Sequence, residues 1–120
     1  MTKLKNELLK GKVSWNSWVK TNPKTTLDFR EQDLQGIDLR DFELISAKFN
    51  ESILSETKFT RAKLFSAVFA EASLREAVFI SAELKKANFI RADLRKAYFV
   101  QEVIFHSEQA RSSDQFQAIY

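Results

Sequence analysis

Side chains able to do nucleophilic or metal chemistry are scarce in this sequence. His106 is the only histidine, and there is no cysteine. An imidazole with no thiol and no second histidine builds neither a metal centre nor a nucleophile–base pair, so His106 reads as a loop residue. With two glycines in the chain there is no Gly-rich loop to cradle a phosphate. What remains is charge at regular spacing. Glu31, Glu51 and Glu71 stand 20 residues apart, as do Glu56 and Glu76, and Arg75, Arg91, Arg95 and Lys96 cluster later. Carboxylates spaced that evenly read as a solvated surface rather than an acid–base pair. The expectation is a protein that is not an enzyme, with no cofactor, no metal and no small-molecule substrate.

The regular spacing points to the elements that hold these groups. From Phe29 to Ile104 every fifth residue is Phe, Leu or Ile, sixteen in succession. A step of five fits neither the turn of an α-helix nor the alternation of one long strand. Two residues before each large position sits a small one: Ala at 47, 62, 67, 72, 77, 82, 87, 92 and 97, with Ser52 and Thr57 in the same role. Residues two apart on an extended segment share a face, so both point inward and the one between points out. The other two residues of each five must turn the chain. They do so with only Gly11, Gly36 and Pro23 as conventional turn formers in the whole sequence. Each repeat is thus one short side and one corner, and the succession winds into a solenoid with coils ~4.8 Å apart.

The Phe/Leu pattern fixes the cross-section. Three sides per coil would stack Phe on Leu, whereas four give uniform columns. These are Phe29, Phe49, Phe69, Phe89; Leu34, Leu54, Leu74, Leu94; Leu39, Phe59, Phe79, Phe99; and Leu44, Leu64, Leu84, Ile104. About four coils make a rod on the order of 19 Å long.

The units "ANFIR" and "ADLRK" at 87–96, echoed in outline over 47–101, resemble the A-(D/N)-L-x-x motif of the pentapeptide-repeat family. The resemblance implies an all-β solenoid, a right-handed quadrilateral β-helix with the central Phe or Leu and the small residue both buried. The segment "LLKGKVSWNSWVKTNP" is similar to the helical N-terminal cap of some members. The expected organisation is a helical cap at 1–26, the repeats at 27–106, and a C-terminal tail or cap at 107–120.

The ends carry their own signals. Leu4, Leu8, Trp15, Trp18 and Val19 fall at helical spacing, Gly11 is a candidate break, and Asn22-Pro23 ends the helix. In the first coil the small position becomes Leu27, Gln32, Ile37 and Phe42, which fit only where no coil lies beneath. Trp15 and Trp18 are the expected cover, with Leu27, Ile37 and Phe42 as what they cover. A basic amphipathic helix docking on a membrane surface or another protein is the alternative. Residues 1–26 carry six Lys against Glu7, and residues 28–51 carry seven acids against three bases, so the two segments should lie together. Glu102 in the small position ends the regular pattern. Beyond it the chain serves as a cap, a disordered end or an element given to a dimer.

Function has to come from outward positions. Val78, Ile80, Tyr98 and Val100 face out from the third side, with Val103 and Phe105 around the corner. Such a patch marks self-association, partner binding or a face covered by Phe116, Ile119 and Tyr120. The reading is a non-enzymatic scaffold or protein–protein interaction module, its partner an unknown protein or a second copy, set in the cytoplasm and bound to no membrane. The alternative, implied by the family resemblance, is a DNA-mimicking inhibitor of gyrase. Residues 27–106 hold 13 acids and 12 bases, a poor copy of a duplex with one negative charge per ~1.7 Å. Nucleic-acid binding through the Arg75, Arg91, Arg95, Lys96 cluster is disfavoured by the acids beside it.

Overall fold

A computed structural model of the 120-residue chain describes residues 3–100 and the backbone of 116–119. Two helices come first, α1 (Lys3–Leu8) and α2 (Lys12–Thr21). Gly11 separates them with φ 100°, a conformation that side chains with a Cβ resist. At its far end α2 is closed by side chains: Thr21 Oγ1 and Asn22 Nδ2 donate to the Trp18 carbonyl at 3.0 and 2.9 Å. Pro23 follows and cannot extend the helix.

From Asp28 onward the backbone pairs with itself in parallel, the outward residue of each side with the one twenty further on. Asp28 bridges Lys48, Lys48 bridges Val68, and Val68 bridges Asn88, with matching series starting at Asp33, Asp38 and Glu43. The four-column expectation therefore holds over the described repeats. A side is too short for a continuous strand, so each contributes a single bridging residue. Each side is nevertheless hydrogen-bonded to the next coil in both directions: Phe29 N donates to Lys48 O (2.8 Å), Lys48 N to Leu27 O (2.8 Å), and Glu31 N to Asn50 O (3.0 Å). Strand β1 (Ala97–Val100) is the longer exception, and β2 (Phe116–Ile119) lies parallel to it with Tyr98 opposite Gln117.

Corners close by a backbone bond across four residues, such as Ala47 N to Leu44 O at 3.1 Å. The third residue of each such turn is left-handed, the arrangement of a type II turn, which favours glycine there. Only Gly36 obliges. Thirteen other residues, from Glu31 to Lys96, hold φ between 57° and 66°. Each costs on the order of 1 kcal/mol, and the stack offsets this because every corner is flanked by inter-coil hydrogen bonds.

The interior is filled by two kinds of ladder. Phe29, Phe49, Phe69 and Phe89 stack with centroids 5.0–5.3 Å apart, and Phe59, Phe79 and Phe99 at 4.9–5.0 Å. These two columns stand on opposite sides and meet edge-to-face at 5.6–6.0 Å. Leucine fills the other two sides, and the small positions from Ala47 to Ala97 are buried between coils. Ser52 and Thr57 fit there because their hydroxyls donate to the carbonyls of Phe49 (2.6 Å) and Leu34 (3.0 Å).

Candidate functional site

One backbone donor per repeat, the N–H after the central residue, is left over by the stacking. Where the outward residue is Asp or Asn, its side chain takes it. Asp28, Asp33, Asp38, Asn88 and Asp93 each accept through Oδ1 from the N–H two residues on, at 2.9–3.2 Å. Where that next residue is arginine, its guanidinium returns to the same carboxylate as a fork. The distances are 2.9 and 2.7 Å for Arg30 on Asp28, 2.8 and 2.6 Å for Arg40 on Asp38, and 2.8 and 2.7 Å for Arg95 on Asp93. These arginine hydrogen bonds lower Asp28 and Asp38 from 3.8 to about 2, and also depress Asp93.

A depressed carboxylate adds stability above its unfolded pKa and loses it as pH falls through the folded one. The contribution of Asp28 and Asp38 is thus complete above pH 3.8 and fades toward about 2. Both are solvent-screened, so Asp28→Asn with Asp38→Asn should cost only about 1 kcal/mol together at neutral pH. The amide keeps the turn bond, as Asn88 does, so the loss isolates the charge. Urea titrations across the acid range should show the variant's deficit vanish near pH 2; a constant deficit contradicts the assignment.

At the N-terminal end, Trp15 is fully buried. Its ring lies 5.9 Å from Phe29, 6.4 Å from Phe42 and 5.4 Å from Trp18. Leu27 and Phe42 are buried, while Trp18 and Ile37 are half-buried against the core. The sequence singled out these five residues but missed Asn16. Asn16 Oδ1 accepts from Glu43 N (2.9 Å), its Nδ2 donates to Asp41 O (3.0 Å), and Trp15 Nε1 donates to Glu43 O (2.8 Å). Together they give Glu43 the donor and acceptor that a preceding coil would have supplied. The signal was the need itself: an open coil edge demands polar partners, and Asn16 is the polar neighbour of Trp15. The basic segment also meets the acidic one, with Lys12 3.4 Å from Asp41 and Lys5 donating to Asp33 O at 3.1 Å.

On the third side Asp38, Lys58, Val78 and Tyr98 form one outward column. Tyr98 is 37% exposed, and Val78, Ile80 and Val100 are half-buried. Val103, Phe105 and His106 lie outside the described residues, as do the side chains of 116–120. The acids Glu31, Glu51, Glu71, Glu56 and Glu76 all occupy left-handed corner positions. Arg91 pairs with Glu71 at 3.4 Å, whereas Arg95 turns to its own Asp93 rather than to Glu76. Among the described residues no cluster of His, Asp or Glu has the makings of a metal site, and no helix is long and apolar enough to cross a membrane.

No curated protein matches the chain. Among solved structures it is similar to a pentapeptide repeat protein from the Arabidopsis thaliana thylakoid lumen, at 34% identity and TM-score 0.58, covering 64% of this chain and 57% of that one. A second is the pentapeptide repeat protein Rfr23 from the cyanobacterium Cyanothece 51142, at 30% identity and TM-score 0.60, covering 61% and 50%. HetL from Nostoc sp. strain PCC 7120, described as involved in heterocyst differentiation regulation, shares the fold at 24% identity and TM-score 0.50, covering 71% and 39%. The chain thus spans 39–57% of the length of these three. The family model for pentapeptide repeats matches residues 28–61 and 62–99 in eight copies. With that match lying over the twenty-residue coils, this chain belongs to the pentapeptide-repeat family.

Proposed function

We propose that the chain is a non-enzymatic interaction scaffold in the cytoplasm. It is a right-handed quadrilateral β-helix of about four coils over residues 27–106, capped by helices within 1–26, with 107–120 as a tail or cap. It presents the third side to another protein or to a second copy of itself. The observation that carries this reading is the change along one outward column. Asp38 and Lys58 give way to Val78 and then to a 37% exposed Tyr98, flanked by Ile80 and Val100. A filled interior leaves the surface as the place for function, and an apolar patch on a polar rod favours association. DNA mimicry has less support, because the two columns of corner acids end in Arg91 and Lys96 and Glu71 is already paired with Arg91.

The test is recovery of bound protein from native lysate with full-length Tyr98→Asp and Val100→Asp, alongside light scattering of each. Both substitutions should abolish the same partner or the same self-association. Retention of both by either variant, with its circular dichroism unchanged, rejects this face. Inhibition of purified gyrase in a supercoiling assay would favour the DNA-mimic reading instead.

A further inference from the structure

A second surface lies at the corner joining the fourth side to the first, away from the face just described. Ile45 is 50% exposed there, and Phe65, one coil on, is 38% exposed. The Ser46 N to Phe65 O bond at 2.9 Å sets the two side by side. Beside Ile45 a groove of about 620 Å³ opens between the end of α2 and the first coil, with Val19, Pro23, Leu27 and Ile45 as its apolar lining. Its walls also hold Lys20 and Lys48, and no carboxylate lines it. The stripe continues into Lys85, bonded through its carbonyl to Ser66 N at 3.0 Å, and Lys86, whose ammonium sits 5.8 Å from the Phe65 ring. On the two flanking sides Asp28 is held by Arg30 and Glu83 by Lys63, which leaves Glu43 as the carboxylate there without an ion pair among the described residues. With Lys20 and Lys48 at the slot and Lys85 and Lys86 further along the stripe, the corner as a whole is electropositive.

We propose that this corner binds a linear peptide segment in which acidic residues flank an aliphatic or aromatic anchor. The anchor enters the groove against Ile45 and Leu27, and the carboxylates meet Lys20 and Lys48 or Lys85 and Lys86. Desolvated apolar anchoring supplies the affinity and the lysine border selects the charge of the ligand. A nucleic acid fits less well, since the cations include no arginine for bidentate phosphate contacts.

The experiment is to pan a random dodecapeptide display library on the full-length protein and measure the enriched peptides by fluorescence anisotropy. They should carry Asp or Glu next to Leu, Ile, Phe or Trp, and bind at least roughly tenfold more weakly to Ile45→Glu. Lys48→Glu with Lys20→Glu should weaken them likewise. Ile53→Glu, a substitution on another side at 44% exposure against 50% for Ile45, should leave binding intact and so controls for a general effect of a surface charge. Failure to enrich any peptide, enrichment of basic ones, retention by Ile45→Glu, or tighter binding of a single-stranded oligonucleotide would each overturn the proposal. None of these outcomes touches the Tyr98 face, whose variants are assayed separately.

Discussion

Deleting residues 77–81, one repeat, is expected to damage this protein more than deleting residues 77–96, a whole coil. After the five-residue deletion Leu84 lands over Phe59, Phe89 over Leu64, Leu94 over Phe69 and Phe99 over Leu74. Every column above the cut turns by one side. The junction then loses the Phe69–Phe89 and Phe59–Phe79 stacks, now 5.0 Å apart, and forces a ring onto a leucine in two columns. Each lost ring pair is worth about 0.5–1.5 kcal/mol, and each overpacked contact costs about 1–3 kcal/mol. The sum approaches the whole stability of a small domain, about 5–15 kcal/mol. Removing 77–96 instead sets Phe99 over Phe59 and Tyr98 over Lys58, so like remains on like and β1 stays on the third side.

Intermediate lengths separate register from the mere amount of chain removed. A ten-residue deletion, 77–86, restores Phe89 over Phe59, Leu94 over Leu64 and Phe99 over Phe69. A fifteen-residue deletion, 77–91, mismatches again. Thermal unfolding followed by circular dichroism should therefore give midpoints that alternate with deletion length, highest at ten and twenty. A steady fall with length would show that the ladders do not set the register.

The second large effect is at the other end of the stack. Trp15→Ala should cost about 3–5 kcal/mol, because a fully buried indole leaves Phe29, Phe42 and Trp18 without their common neighbour. The same change removes the donor to Glu43 O. Asn16→Leu tests the backbone edge alone. It keeps the volume but orphans Glu43 N and Asp41 O, at about 1–3 kcal/mol. Urea unfolding should rank Trp15→Ala below Asn16→Leu, with Val13→Ala, 80% exposed on the same helix, near wild type. An open coil edge also invites pairing with another chain, so the Trp15→Ala, Asn16→Ala double variant should self-associate in a concentration-dependent way. If Trp15→Ala loses less than 1 kcal/mol, on the scale of a surface substitution, α2 contributes little to covering the coil.

The repeat was legible in the sequence because its constraint is local and repeated. A side chain at a given place in one coil must suit the same place in the next, so Phe29 through Phe89 and Ala47 through Ala97 announce both the step of five and the column of twenty. The aspartates also stood out, but only as outward polar residues. Their task as acceptors for a leftover N–H becomes visible once the hydrogen bonds are drawn. Corners resisted reading for a related reason. Thirteen left-handed non-glycine residues contradict local preference, and only the flanking inter-coil bonds hold them there.

What the sequence by itself determined is everything that repeats: the inward Phe, Leu and Ala positions, the square section, and the need for a cover on the first coil. Tertiary structure alone decided what happens once. It put Asn16 on the open edge beside Trp15 and opened a lysine-bordered groove between the end of α2 and the first coil. A repeated contact is written many times along the chain and can be read from its period. A contact between a helix and one coil is made once at long sequence separation, and the geometry of the assembled stack is what brings its partners together.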